Sequence, residues 1–524
     1  MENKKLVEQE VSNVGRTTRE KVKNTLTEEL FFGICAPIGS LKIDVLDELE
    51  KTLRDKYDYE VVVLKMTSFI EKYKEKEFEQ IPAKTEAFSK LLYKISEGNA
   101  IRKRYNNNSV LIELAVQDIH VSRLQDNKYI KAEDENLDTT TFKSRRKCYI
   151  FDSIKNKEEL LLLRRIYTKN FFLFSIFSPL NERRKTLREK DLSESEIDKI
   201  VDTDEFENND YGQNVRGTFT DGDFFLRVSQ SNLSKLESKI ERYLHLIFES
   251  DIITPTIEET AMYSAKSAAG NSACLSRQVG ASITDANGEA VSTGWNDVPK
   301  FGGNLYREGN PHDMRCKVKG YCSNDTQKDS LVSKVIDSIK MDDKIKNILQ
   351  DDEGKFSIKI IEALKQNLRN SKIKDLIEFS RSVHAEMHAI ISGTQLSGSK
   401  MINGKLFCTT YPCHNCARHI IVAGIKEVYY IEPYVKSLCL TLHDDAITED
   451  EKSSEKVRIL IFDGVAPRNY LTFFTNFVER KFNGNLVMID FKSIKPKISK
   501  SLMALPTLEQ QAIHSLKECG LINE

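Results

Sequence analysis

Three side chains that bind soft or borderline metals, and one carboxylate, stand out by type and spacing. Cys413 and Cys416 form a Pro-Cys-x-x-Cys pair, and His384 lies 29 residues before Cys413 in a His-Ala-Glu segment that ends on Glu386. Thiolate sulfur and imidazole nitrogen are donors that zinc takes in near-tetrahedral geometry. The two cysteines are one helical turn apart, so both can address one ion from a helix start, where the dipole favours thiolate. Three protein ligands leave the fourth position to water, whose pKa zinc lowers to about 7. Glu386 is near enough to reach that water without ligating the metal, which is where a proton shuttle belongs. A structural zinc knuckle has no need of such a carboxylate. The constellation implies hydrolytic chemistry with Zn2+ as cofactor.

Other candidate residues carry less. His388 is i+4 from His384 and is expected as a packed or hydrogen-bonded ring, with His414 and His419 structural or exposed. The segment HDMRCKVKGYCSN holds His312, Cys316 and Cys322, which form either a second, structural zinc site or reduced thiols in an irregular loop. In the first half, FFGICAPIGS opens a phosphate-loop-like turn. Gly33 and Gly39 bracket five residues rather than four, and Ser40 and Leu41 stand where Lys and Ser/Thr belong. Backbone amides there could bind an anion, but kinase chemistry is not expected. Asp152, at the end of an apolar run, is either a metal-holding acid or a strand-end cap.

The elements that must position these residues alternate. Apolar runs at Leu30, Val62, Ile150 and Phe172 and in DGDFFLRVS read as strands, separated by helical patterns such as LKIDVLDELEKTL and SVLIELAVQDIHVSRL. Alternation predicts an α/β fold with a parallel sheet and helices on both faces. The charged stretch from Asn181 to Asp210 reads as an exposed helical lid or a solvated excursion. A linker is expected at Ile253–Thr256, and the Lys/Asp-rich stretch at about 326–380 reads as a helical insertion inside the second domain.

The chain is 524 residues long, which calls for two or three domains. Hydrophobic residues at 40% and aromatics at 9% exclude wholesale disorder. With 78 Lys+Arg against 79 Asp+Glu, the net charge of −1 exerts no global pull on nucleic acid. A mean hydropathy of −0.43 and the lack of a long apolar run exclude a transmembrane helix and so predict no membrane partner. The polar N-terminus is no signal peptide, and ten sparse cysteines suit a reduced, cytoplasmic protein.

His-x-Glu with Pro-Cys-x-x-Cys is the signature of zinc nucleobase deaminases, in which water attacks C4 of cytosine or C6 of adenine. The second half resembles the deoxycytidylate deaminase family of the cytidine-deaminase fold in SACLSRQVGASITD, STGWNDVP, VHAEMHAI and CTTYPCHNCARHII. That resemblance implies a three-layer α/β/α domain over 257–480, contact of Asn296 with the nucleotide sugar, and the Ala385 backbone along the reacting base edge. A turn role would equally place an Asn at 296. Relatives often carry Asn where His388 stands. The whole chain resembles the anti-phage dCTP deaminases, with GICAPIGS, GNAIR, YIFDSIKNKEE and SPLNERRKTL matching a P-loop-kinase-like half over 28–252. EPYVKSLCLTLHDDAI and FDGVAPRNY resemble the same family. A polar tail over 1–27 and an extension over 481–524 complete the expected organisation. The resemblance implies that dCTP and dCMP are deaminated to drain the pool phage replication needs, with an inhibitory RNA and a homo-oligomer. The alternatives are a polynucleotide deaminase acting on tRNA or single-stranded DNA, and a non-catalytic RNA-binding zinc protein.

Overall fold

The computed structural model describes residues 26–125, 144–207, 209–350, 356–434, 437–475, 480–487, 489–497 and 504–522. The chain divides into two units, Met1–Thr254 with Leu471–Glu524, and Pro255–Tyr470. The tail expected over 1–27 lies, up to residue 25, outside the described residues. Among the described residues no helix is long and apolar enough to cross a membrane.

In the first unit, runs rich in β-branched and aromatic residues become strands: β1 (Leu30–Cys35), β2 (Glu60–Lys65), β3 (Lys147–Asp152), β4 (Phe171–Phe177) and β5 (Phe224–Arg227). They lie side by side in the order β5-β4-β1-β3-β2, each pair parallel. Every residue of β1 is buried, as a parallel strand covered on both faces must be. Among the covering helices, α1 (Lys42–Asp55) turns Val45, Leu49 and Leu53 inward, and α2 (Val110–Gln125) is buried along most of its length. Next come α3 (Lys157–Tyr167), α4 (Glu194–Glu205) and α5 (Leu236–Phe248). The parallel sheet expected from the alternation is present.

Two parts of this unit depart from expectation. The charged stretch after Asn181 is no solvated excursion: α4 buries Ile197, Ile200 and Val201, which join Leu187 against Phe88 and Ile95. Glu194, Asp198, Lys199 and Asp202 stay exposed on its outer face while Glu196 and Asp204 are buried with the apolar residues, so composition hid an amphipathic helix. The C-terminal stretch, expected only as an extension over 481–524, groups with the first unit. Its helix Leu505–Glu518 packs on α2 and sends Glu509, fully buried, to Arg123 Nη2 at 2.9 Å and His120 Nδ1 at 3.3 Å.

The second unit begins with α6 (Ile257–Ala269), fixed by a Thr256/Glu259 capping box. Then follow β6 (Gly280–Thr284), β7 (Ala290–Trp295), α7 (Ser323–Met341), α8 (Ile358–Asn370), α9 (Ala385–Ser397), β8 (Lys405–Thr410), α10 (His414–Val422), β9 (Glu427–Glu432), β10 (Ile447–Thr448) and β11 (Val457–Ile461). The sheet order is β10-β11-β9-β8-β6-β7, with β6 antiparallel to both its neighbours and the other pairs parallel. Two glycines explain the layering. A Cβ at Gly280 would meet the Ala265 carbonyl oxygen of α6 at 1.9 Å, and one at Gly294 would meet Ala385 O and Ala389 N of α9 at 2.4 Å. Gly294 pairs with Ala281, the neighbour of Gly280, so the two glycines face opposite sides of the sheet. Helices α6 and α9 therefore cover opposite faces, giving the three-layer arrangement. The insertion is a helical pair, α7 against α8, with its own small core of Val332, Ile336 and Ile361.

Candidate active site

Two helix starts meet in the second unit. His384 is the N-cap of α9, in extended backbone conformation and without a side-chain cap bond, so its ring is left to turn toward α10. Pro412 holds the chain extended after β8, and Cys413 then caps α10, its Sγ accepting from Cys416 N at 3.4 Å. His384 Nδ1 lies 3.3 Å from Cys413 Sγ and 3.3 Å from Cys416 Sγ. Zn–S near 2.3 Å and Zn–N near 2.0 Å put ligands of a tetrahedral ion about 3.5 Å apart, so these donors fit zinc. Among the described residues this is the one group of three such donors within 4.8 Å of one another.

Glu386 stands in the first turn of α9, 4% exposed. Burial, reinforced by the charge of Cys413, raises its carboxyl above the usual carboxylate range. The Cys413 thiol is lowered to about 4, chiefly by its hydrogen bond with Cys416, and His384 outweighs with it the opposing effect of burial. Burial raises Cys416 well above the usual thiol. Burial also pulls His384 down, but the bond to Cys413 and its charge more than reverse this.

The site opens into a cavity of about 370 Å³, whose lining includes His384, Ala385, Glu386, Cys413, Asn296 and Thr410. Asn296 is at this wall, with Oδ1 accepting from Val279 N at 2.7 Å and Nδ2 donating to Arg277 O at 3.0 Å. It thus ties the start of β6 to the end of β7 while facing the cavity. His388 lies outside the donor group. Its Nδ1 accepts from Trp295 N at 3.2 Å and its Nε2 faces Asn304 Oδ1 at 3.2 Å, which fixes a neutral tautomer with the proton on Nε2. Burial lowers its pKa, in keeping with that neutral form. His419 bonds the Asn415 carbonyl on its own helix, and His414 lies 3.7 Å from Glu378.

His312, Cys316 and Cys322 are not brought into a donor group. His312 is exposed on a loop at φ 57°, while Cys316 and Cys322 line the cavity with Cys274. Cavity residues that the motifs did not single out are Arg277, Lys328 and Arg381. A signal for Lys328 was present: it shares the i, i+4, i+8 face of α7 with Val332 and Ile336.

In the first unit, Gly33 ends inside β1 and Gly39 turns the loop at φ 81°. The loop amides have internal partners. Ile38 N donates to Asp204 Oδ2 at 2.7 Å and Leu41 N to Ser178 Oγ at 3.1 Å. The Ser40 hydroxyl is buried without a partner. Asp152 accepts from Lys42 and from Ser153 Oγ, so its carboxylate is engaged within the chain.

The comparisons with known proteins fall on the second unit. Residues 255–432 match the family model of the cytidine and deoxycytidylate deaminase zinc-binding region. ComE operon protein 2 of Bacillus subtilis (strain 168) is 44% identical over 55 residues, 10% of this chain and 29% of that protein. The chain thus spans under a third of that relative's length. Deoxycytidylate deaminase of Enterobacteria phage T2 is 27% identical over 166 residues, 32% of this chain and 74% of that protein. Among solved structures, dCMP deaminase from the cyanophage S-TIM5 in apo form is 18% identical with a TM-score of 0.21, covering 40% of this chain and 100% of that one. Residues 255–432 are accordingly a zinc-dependent deaminase domain of the cytidine and deoxycytidylate type.

Proposed function

We propose that this chain hydrolyses deoxycytidine nucleotides, dCTP and dCMP, to the deoxyuridine nucleotides with release of ammonia. The observation that carries it is the placement of Glu386, buried beside three zinc donors in the wall of a cavity of nucleotide dimensions. Zinc on His384, Cys413 and Cys416 would supply water activated for attack at neutral pH. Glu386 takes one proton of the attacking water and delivers it to N3 of the base, then takes the proton left on the new C4 hydroxyl and passes it to the departing amine as the C4–N bond breaks. The Ala385 backbone borders the reacting base, and Asn296 offers its remaining amide hydrogen and lone pair to the sugar. The resemblance to anti-phage dCTP deaminases supports a wider reading. In it, the cytoplasmic enzyme drains dCTP in antiviral defence, is restrained by an RNA, assembles as a homo-oligomer, and uses its first unit as a regulatory rather than a kinase module.

The test is ammonia release by the purified protein, given dCTP, dCMP, CMP and single-stranded DNA separately, with a Glu386→Ala control. Turnover of the free deoxynucleotides, absent in the control, is expected. Activity confined to the polymer would replace the proposal with polynucleotide editing. For the defence role, dCTP should fall in infected cells carrying the wild type but not Glu386→Ala; equal pools would remove it.

A further inference from the structure

Away from the zinc donors, the cavity changes character. Part of its wall is built by the flanks of the insertion, the first turns of α7 and the segment 374–382 that leads into His384. Resting on the deaminase reading above, we infer that this wall is the subsite for the 5′-phosphate tail of the substrate, with Lys328 and Arg381 as its specificity-determining cations.

Four cationic residues line the cavity, Arg277, Lys328, Lys374 and Arg381, with Asp375 as an acidic neighbour. Lys328 is only 5% exposed, and its Nζ donates to the Lys374 carbonyl at 2.8 Å. Burying an ammonium is costly, and Lys328 meets that cost with the Lys374 carbonyl on the same cavity wall that carries Asp375. Arg381 donates Nη1 to Met314 O at 3.2 Å, a single use of a five-donor fork whose planar geometry suits phosphate oxygens. It is three residues before His384, so a ligand held there is placed relative to the metal donors by a short, fixed span. That span is pinned by the Val383 bridge to Asp297. Arg277 is braced at the rim by Glu432 at 2.9 Å and by the Tyr434 ring.

The wall is also held rigid. Asn324 Nδ2 donates to Leu376 O at 3.0 Å, and Arg369 joins α8 to Asp325 at 2.9 Å and Asp329 at 2.7 Å on α7. The insertion is thus a preformed part of the substrate cavity, and it makes the enzyme selective for nucleotides over nucleosides.

The experiment compares full-length, zinc-loaded wild type with Arg381→Gln and Lys328→Met on deoxycytidine, dCMP and dCTP. KM for both nucleotides should rise about tenfold to a hundredfold, the worth of a charge-assisted contact, while deoxycytidine kinetics stay unchanged. Calorimetric titration with dUTP, which needs no turnover, should show the same weakening. Arg381 is partly exposed, so its variant stays informative if Lys328→Met misfolds. Wild type that binds dUTP more tightly than Arg381→Gln yet releases no ammonia would sink the deaminase reading and leave the subsite standing. Equal dUTP affinity in wild type and Arg381→Gln, no binding by wild type, or an equal loss on deoxycytidine would overturn the subsite.

Discussion

At the residue scale, Glu386 and the three donors are separable, because the carboxyl is buried against the donor set without belonging to it. Glu386→Gln should keep zinc content at the wild-type value and lower turnover about 10²- to 10⁴-fold, the usual worth of a positioned acid–base group. Cys413→Ser should lose both metal and turnover. Metal analysis beside ammonia release distinguishes the two, and loss of zinc from Glu386→Gln would show that it helps ligate. His388 supports the site differently, by satisfying the Trp295 N–H at the end of β7. Its replacement by Ala leaves that buried donor open, at a cost of about 1–3 kcal/mol, visible as a lower Tm of the zinc-loaded protein. An unchanged Tm would mean that water takes its place. The metal motif was legible because its chemistry depends on residue type at short spacing. Arg277 and Arg381 were not, because a single Arg carries no spacing that tells a cavity wall from a solvated face, and the helical face that Lys328 shares with Val332 and Ile336 shows burial but not a role.

Elements reach this site through one close approach. Gly294 lets α9, which carries Glu386 in its first turn, lie directly on β7. A methyl group there would strike backbone rather than a side chain that could swing away. Gly294→Ala should therefore push α9 outward and reduce kcat by more than tenfold, since small misplacements of catalytic groups are costly. Zinc binding should weaken with it, because His384 caps the same helix. Full activity of Gly294→Ala would mean that the helix can slide at little cost. The strands of the first unit were readable as apolar runs between turn residues, and their parallel order follows from the alternation with helices. The α4 region was misleading for a physical reason: only one face of a short helix needs apolar residues, and Ile197, Ile200 and Val201 provide it within a stretch that is otherwise acidic. Likewise no local pattern reveals that Asp204 spends its charge on the loop amide of Ile38.

For the whole molecule, the division into two units means that their stabilities respond to different ligands and charges. The first unit is closed by a buried cluster in which Arg123 bridges Glu29 at 2.6 Å and Glu509 at 2.9 Å, while Arg145 also pairs with Glu29. A chain segment at the far C-terminus is thereby held by charge in a desolvated place, where removing one partner is severe. Glu509→Ala should destabilise the first unit by about 3 kcal/mol, since Arg123 keeps Glu29 but loses its second carboxylate. Burial alone would raise the Glu509 carboxyl, but the charge of Arg123 and the bonds from His120 and Arg123 prevail and hold it below the ordinary range. A depressed carboxylate contributes stability that is complete above the unfolded value of about 4.3 and is lost as pH falls below it. Thermal melting should then show two transitions. A zinc chelator should lower only the one belonging to the deaminase unit, and Glu509→Ala only the other, with wild type and variant converging below about pH 4. A single transition moved equally by both treatments would show that the two units unfold as one, and that the C-terminal helix stabilises the zinc domain as much as the unit it belongs to.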